Sequence, residues 1–86
     1  MKYVYLLRSK VNPKKGYIGI TTDLKERLKQ HNYKQSPHSS KYAPWEIVTY
    51  IAFESDETAN RFERYLKTGS GRAFAKSHLW GSGELQ

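Results

Sequence analysis

Apolar residues occupy both faces of the first predicted strand. From Lys2 to Arg8, tyrosine and leucine alternate with valine and leucine, so neither side of the strand is polar. This pattern is typical of a central strand that is covered on both faces of its sheet. Asn12 and Pro13 suit the first two positions of a type I turn, and the apolar run Tyr17–Ile20 follows. The pattern therefore predicts an antiparallel hairpin over residues 2–20.

A helical period replaces the alternation after the hairpin. Asp23 is a suitable N-cap, Glu26 stands three residues later as in a capping box, and two leucines supply an apolar stripe. These signals predict a helix over residues 23–32. Residues 33–44, rich in Ser, Lys, His and Pro, predict an exposed loop, and the β-branched and aromatic residues at 45–53 predict a third strand.

Two further helices are predicted in the second half of the chain. Ser55 can cap a helix over residues 56–68, with Gly69 placed to follow its last turn. Residues 70–80 predict a short third helix. The element order β-β-α-β-α-α predicts an α+β fold, in which a three-stranded antiparallel sheet is flanked by helices.

Length and composition set the limits of this fold. With 86 residues the sequence has room for one compact domain, predicted at residues 1–80, and a flexible tail at 81–86. It has no cysteine, which excludes disulfides and thiolate metal sites. The apolar run at the N-terminus is too short for a signal peptide, and none is long enough to span a bilayer. We therefore expect a cytoplasmic protein that does not bind membranes.

The charge is positive and unevenly distributed. The formal net charge is +7, and residues 1–42 carry ten basic side chains against two acidic ones. A one-sided basic excess is typical of a protein that binds a polyanion, although it also serves solubility. If nucleic acid is bound, the expected contacts are Lys25, Arg27, Lys29, Lys34 and Lys41.

Polar residues interrupt the apolar faces of the first two predicted helices. Arg27 and His31 are four residues apart and border the leucine stripe, which suggests the lip of a cleft. Alternatively, the arginine stem covers apolar surface beside a hydrogen-bonded histidine. Glu63 lies between Ala59 and Leu66 on the apolar face of its helix, so its carboxylate must be neutralised, paired or bound to a metal. A structural ion pair, for example with Arg27, is the alternative to a metal.

Together these features resemble the GIY-YIG nuclease superfamily. Tyr3-Val4-Tyr5 stands where the family has its first triplet, and Tyr17-Ile18-Gly19 is the second motif verbatim. The helix carrying an arginine and then a histidine is similar to the first helix of the family, and Glu63 stands at its metal-binding glutamate. Residues 65–74 most resemble the small stand-alone bacterial members, which are related to the catalytic domain of the excision-repair nuclease subunit.

The resemblance implies a metal-dependent endonuclease that hydrolyses phosphodiester bonds, in DNA more than in RNA. In that interpretation Tyr17 is the general base, and nearby positive charge must stabilise its phenolate. Glu63 holds one Mg²⁺ or Mn²⁺. Arg27 stabilises charge developing on the phosphate, while Tyr5 and His31 orient the water or the scissile phosphate.

Two other functions stay open at this point. The same basic fold could bind nucleic acid without cutting it, or it could be an adaptor that a partner protein recruits. A protein partner could also supply specificity to an active nuclease. In the repair-type members a lysine follows the second motif, whereas Ile20 stands here, which leaves the proton acceptor open.

Overall fold

The computed structural model describes residues 1–33 and 40–81. In chain order, the elements are β1 (Lys2–Ser9), β2 (Gly16–Thr21), α1 (Leu24–Asn32), β3 (Trp45–Phe53), α2 (Asp56–Leu66) and α3 (Gly69–His78). The strands form one antiparallel sheet in the order β2-β1-β3. The predicted α+β class and element order are confirmed. Our predictions for residues 34–39 and for the tail at 82–86 lie outside the described residues.

Local signals in the sequence account for most of the element boundaries. The backbone N–H of Lys15 donates to the carbonyl of Asn12 over 2.8 Å, which closes the predicted turn between β1 and β2. The Asp23 carboxylate accepts from the N–H of Glu26 and caps α1. The Ser55 hydroxyl caps α2 in the same way. Part of the predicted loop forms a single 3-10 turn at Ser40–Tyr42.

The central strand β1 separates two apolar cores. Val4 and Leu6 are buried beneath α2 and α3, beside Leu66 and other apolar side chains of these helices. Tyr5 and Leu7 point to the opposite face, where the leucines of α1 and the first residue of β3 cover them. This arrangement confirms the two-faced pattern of β1. It also places α1 on one face of the sheet and α2 with α3 on the other.

The boundary between α2 and α3 differs from the prediction. The second helix ends at Leu66 rather than at residue 68, and Gly69 starts α3 instead of ending α2. Thr68 is the reason, because its hydroxyl accepts from the N–H of Gly71 and caps the new helix. A Cβ at Gly71 would lie 2.6 Å from the Cα of Leu66, so only glycine permits this tight junction.

The third helix is also shorter at its end than predicted, because α3 stops at His78. Trp80, two residues further on, is 8% exposed and closes the core beneath α2 and α3. In the part of the chain that the structure describes, no helix has the length and apolar character needed to cross a membrane.

Candidate active site

Two tyrosines and a histidine form a cluster on the α1 face of the sheet. His31, in the last turn of α1, is 2% exposed, and its Nε2 shares a 3.1 Å hydrogen bond with the Tyr5 hydroxyl. The Tyr17 ring lies 4.7 Å from the His31 ring and 6.3 Å from the Tyr5 ring, measured between centroids. The structure thus brings together one residue from each of β1, β2 and α1.

Gly19 makes room for Tyr5 in this cluster. The two residues stand opposite each other in the β1–β2 register. A Cβ at Gly19 would lie 2.5 Å from Cζ of Tyr5 and closer still to its hydroxyl oxygen, so the tyrosine ring lies directly over the glycine. Sequence reasoning treated this glycine only as part of a motif. Its position opposite a motif tyrosine in the predicted hairpin is the signal that could have revealed its role.

A second link that sequence reasoning missed fixes the end of α1. The Asn32 side chain accepts from the N–H of Trp45 at 2.6 Å and donates to the carbonyl of the same residue at 3.3 Å. The Trp45 ring in turn lies 6.4 Å from the Tyr17 ring. These interactions hold the last turn of α1, and therefore His31, against the start of β3. Residues 32 and 45 are too far apart in sequence for a local pattern to show this.

Arg27 lies one turn before His31 on α1. Its guanidinium donates to Gln30 at 3.2 Å, and the side chain is exposed instead of sharing the buried stripe with His31. It lines an open groove of about 310 Å³ between the end of β2 and the start of α1, as expected for the lip of a cleft. The positive charge of Arg27 acts on the Tyr5 hydroxyl and opposes the rise of its pKa. Arg27 and His31 are one helical turn apart, yet the guanidinium is exposed and the imidazole is buried.

Glu63 lies on α2, which covers the face of the sheet opposite to α1. Its side chain is 15% exposed and pairs with Nζ of Lys67 at 2.5 Å. The ion-pair partner of Glu63 is therefore Lys67. The alternative that named Arg27 as this partner is wrong. Although α2 and α1 cover opposite faces, the Glu63 carboxylate acts electrostatically on the Tyr5 hydroxyl. The helices that carry Arg27 and Glu63 therefore cover opposite faces of the sheet.

The environment sets the protonation of two members of the cluster. Burial raises the pKa of Tyr5 to about 12, opposed by the charge of Arg27 and supported by Tyr17 and Glu63. Tyr5 therefore keeps its proton near neutral pH and can donate a hydrogen bond. Burial and the Arg27 charge both lower the pKa of His31, which favours a neutral imidazole.

The chemistry of Glu63 fits a hard divalent cation. Within residues 1–33 and 40–81, no group of three or more His, Asp or Glu side chains could hold a metal ion. A single carboxylate is nevertheless sufficient for Mg²⁺, which keeps several waters and is bound by one or two carboxylates together with substrate phosphates. The Lys67 ammonium now neutralises this carboxylate, and its side chain is 54% exposed and can turn to solvent. Glu63 is thus the residue that would hold Mg²⁺ or Mn²⁺.

The structure describes four of the five basic residues expected to contact nucleic acid. Lys25 and Lys29 are exposed on α1 together with Arg27. Lys41 is exposed and its ammonium lies 5.1 Å from the centre of the Tyr42 ring. Lys34 lies outside the described residues. The described members present positive charge to solvent, as phosphate binding requires.

The lowered pKa of His31 leads to a pH-dependent stability. Because the folded state binds this proton less readily than an unfolded chain, the contribution is present above pH 6.5 and is lost as the pH falls through the lowered pKa. We expect His31→Gln to flatten the decrease in unfolding free energy below pH 6.5, as measured by denaturant unfolding. His78→Gln, which changes an exposed histidine on α3, is the control and should leave the slope unaltered. Equal slopes in all three proteins would contradict the assignment.

Comparison with known proteins gives a consistent set of relatives. The structure-specific endonuclease subunit SLX1 of Debaryomyces hansenii is 36% identical over 83 residues, which are 88% of this chain and 24% of that protein. SLX1 of Candida dubliniensis is 37% identical over 73 residues, 74% of this chain and 25% of that protein. The chain thus spans about a quarter of the length of these SLX1 proteins.

Bacterial relatives are closer to this chain in length. The UPF0213 protein BH0048 of Halalkalibacterium halodurans is 37% identical over 71 residues, 81% of this chain and 73% of that protein. The solution structure of BH0048, attributed to Bacillus halodurans, superposes with a TM-score of 0.56 at 33% identity and covers 98% of this chain and 92% of that one. Residues 1–76 match the GIY-YIG catalytic domain. The chain therefore belongs to the GIY-YIG catalytic domain family, as its tyrosine motifs indicated.

Proposed function

We propose that this domain is a divalent-metal-dependent endonuclease that hydrolyses phosphodiester bonds in nucleic acid, with DNA as its main substrate. The observation that carries the proposal is the cluster in which the Tyr5 hydroxyl shares a hydrogen bond with His31 and the Tyr17 ring packs against the same histidine, within the electrostatic influence of Arg27. A module that only binds nucleic acid has little use for a carboxylate near the phosphates, because like charges repel. A hydrolytic site needs such a carboxylate.

The chain's own residues divide the chemistry between them. Tyr17 is the general base that removes a proton from the attacking water. Tyr5, which keeps its proton, donates a hydrogen bond that orients the water or a phosphate oxygen. His31 holds the Tyr5 hydroxyl in place through their hydrogen bond. Arg27 offers paired donors to the negative charge that develops on the phosphate, and its positive charge stabilises a phenolate nearby.

Glu63 would hold the Mg²⁺ or Mn²⁺ ion. When bound, such an ion polarises a phosphoryl oxygen and stabilises the leaving oxygen. The carboxylate is available for this role once Lys67 turns to solvent, which its 54% exposure allows. Metal affinity should therefore fall when a second positive charge is fixed near Glu63 and rise when Lys67 is removed.

The relatives support a finer version of the same proposal. The SLX1 proteins are described as subunits of structure-specific endonucleases. By analogy we propose that this domain recognises the shape of a DNA substrate, such as a branch, and acts in DNA repair. The same analogy supports a protein partner that supplies specificity. This chain corresponds to about a quarter of each of those SLX1 proteins.

A cleavage screen tests the central proposal. We expect nicking of branched, single-stranded or duplex DNA, or of RNA, when Mn²⁺ is added to the purified protein, and loss of nicking with a chelator. Binding without cleavage on every substrate and with every divalent metal would favour the non-catalytic module. The adaptor would be favoured if the protein cleaves no substrate and its complex with a protein partner persists at high salt and in Glu63→Gln.

The electrostatic part of the proposal makes its own prediction. Affinity for DNA should fall with a log-log salt slope of roughly −0.7 to −0.9 for each phosphate contacted. Replacing Lys25 and Lys29 by glutamine should weaken binding and reduce that slope, because both ammonium groups face solvent on α1 beside Arg27. Fluorescence anisotropy at several salt concentrations measures both quantities. A flat salt dependence of the unaltered protein would exclude nucleic acid as the ligand.

A further inference from the structure

A basic cleft lies on the face of the sheet away from α1. It has a volume of about 180 Å³ and is lined by the start of β2 and by α3, with the indole of Trp80 among its walls. The charged residues that line it are Lys14, Arg72 and Lys76. All three are basic and exposed, and they come from two segments that are distant in sequence. Among the described residues that line the cleft, every charged side chain is therefore basic.

Arg8 adds a fourth positive charge behind the cleft. Its Nη2 donates to the carbonyl of Trp80 at 2.7 Å, which places the guanidinium beside the residue that lines the wall. Its Nε is buried, and within the described residues it has no hydrogen-bond partner. A half-buried guanidinium beside three exposed basic side chains raises the positive potential in this small volume. A phosphate group is the ligand that such a site would attract.

The position of the cleft relates it to the candidate active site. In the β1–β2 register Arg8 stands opposite Gly16, and Tyr5 stands opposite Gly19. Three residues along a strand correspond to about 10 Å. Both sites border β2, an edge strand of the sheet, and lie on its opposite faces. Because the two sites also lie on opposite faces, this length is their minimum separation, and a nucleic-acid strand with a rise of about 3.4 Å per nucleotide needs at least roughly three nucleotides to span it.

We propose that this cleft binds a backbone phosphate of the nucleic acid a few nucleotides from the scissile phosphate, so that the strand follows the exposed edge of β2. The inference rests on the proposed function and adds to that function the path of the substrate strand. The site is an anchoring site: it takes no part in hydrolysis but sets which phosphate lies over Tyr17. Lys14, Arg72 and Lys76 are its binding residues.

The test compares two double variants that remove equal charge. Arg72→Gln with Lys76→Gln alters the cleft, whereas Arg61→Gln with Arg64→Gln removes two exposed positive charges from α2 outside it. Binding of single-stranded DNA is measured with chelator present, so that no cleavage interferes. For each phosphate that the cleft variant no longer binds, we expect roughly fourfold weaker affinity near physiological salt and a log-log slope smaller by about 0.7. The α2 variant should stay close to the unaltered protein.

The indole N–H of Trp80 provides a second readout by NMR. We expect its resonance to shift when an oligonucleotide is added, and this shift to disappear in the cleft variant, whose remaining spectrum shows that it is folded. Equal decreases of affinity in both variants, or an unchanged Trp80 resonance, would overturn the proposal. Inorganic phosphate is titrated in parallel. If phosphate binds the cleft as tightly as the oligonucleotide does, the cleft is a site for free anions and the proposed strand path is wrong. These readouts need no cleavage, so the two proposals can fail separately. If the Trp80 resonance shifts in a protein that cleaves nothing, the nuclease proposal is wrong but the binding site is supported.

Discussion

Glu63→Gln should abolish metal-dependent cleavage and leave the affinity for nucleic acid unchanged or higher. Glutamine preserves the volume of the side chain but removes the negative charge that would hold the divalent cation. Removal of that electrostatic contribution should lower the cleavage rate by at least about 100-fold. Binding should not suffer, because a repulsive charge near the phosphates is gone. Nicking assays with Mn²⁺ and anisotropy with chelator measure the two effects separately.

The structure also sets the expected effect of this change on stability. Glu63 pairs with Lys67, whose side chain is 54% exposed, so the lysine can be hydrated when its partner is removed. The change in unfolding free energy should therefore be about 1 kcal/mol or less. Lys67→Gln is the matched control, since it breaks the same ion pair but keeps the carboxylate and should retain cleavage. A large decrease in the melting temperature of Glu63→Gln without metal, together with retained cleavage, would show that Glu63 is structural.

Gly19→Ala should damage both the fold and the site. The added methyl group would overlap the ring of Tyr5, which is 2% exposed and packed in the core beneath α1. Overpacking of this kind costs about 1 to 3 kcal/mol in unfolding free energy. The Tyr5 hydroxyl must also move away from His31, and a displacement of about 1 Å in a catalytic site can cost roughly 100-fold in rate. Denaturant unfolding and cleavage kinetics measure the two effects.

Gly69→Ala is the matched control for that substitution. A Cβ at Gly69 would have no heavy atom within 4 Å, and the residue is the first of α3. Alanine at a compatible position restricts the unfolded chain, so stability should hold or rise by up to about 1 kcal/mol. If Gly19→Ala proved as stable and as active as Gly69→Ala, the close approach of Tyr5 to β2 would not govern the site.

Much of the fold follows from interactions between close neighbours in the chain. The alternation in β1 and the caps at Asp23 and Ser55 depend on residues two to four positions apart, and the structure confirms them. The same reasoning was wrong at Gly69, because glycine after an apolar stripe looks like a helix end. Its actual place in α3 depends on the Thr68 cap and on the close approach of Gly71 to α2.

The same distinction between local and long-range interactions applies to the candidate site. The sequence by itself determined that Arg27 and His31 share one side of a helix and that Glu63 lies on an apolar face, because helical periodicity is local. Only the tertiary structure decided that His31 bonds Tyr5, that the partner of Glu63 is Lys67, and that the two helices approach β2 from opposite faces. These outcomes depend on how the sheet packs between α1 and α2, and side chains far apart in sequence meet only after that packing has formed.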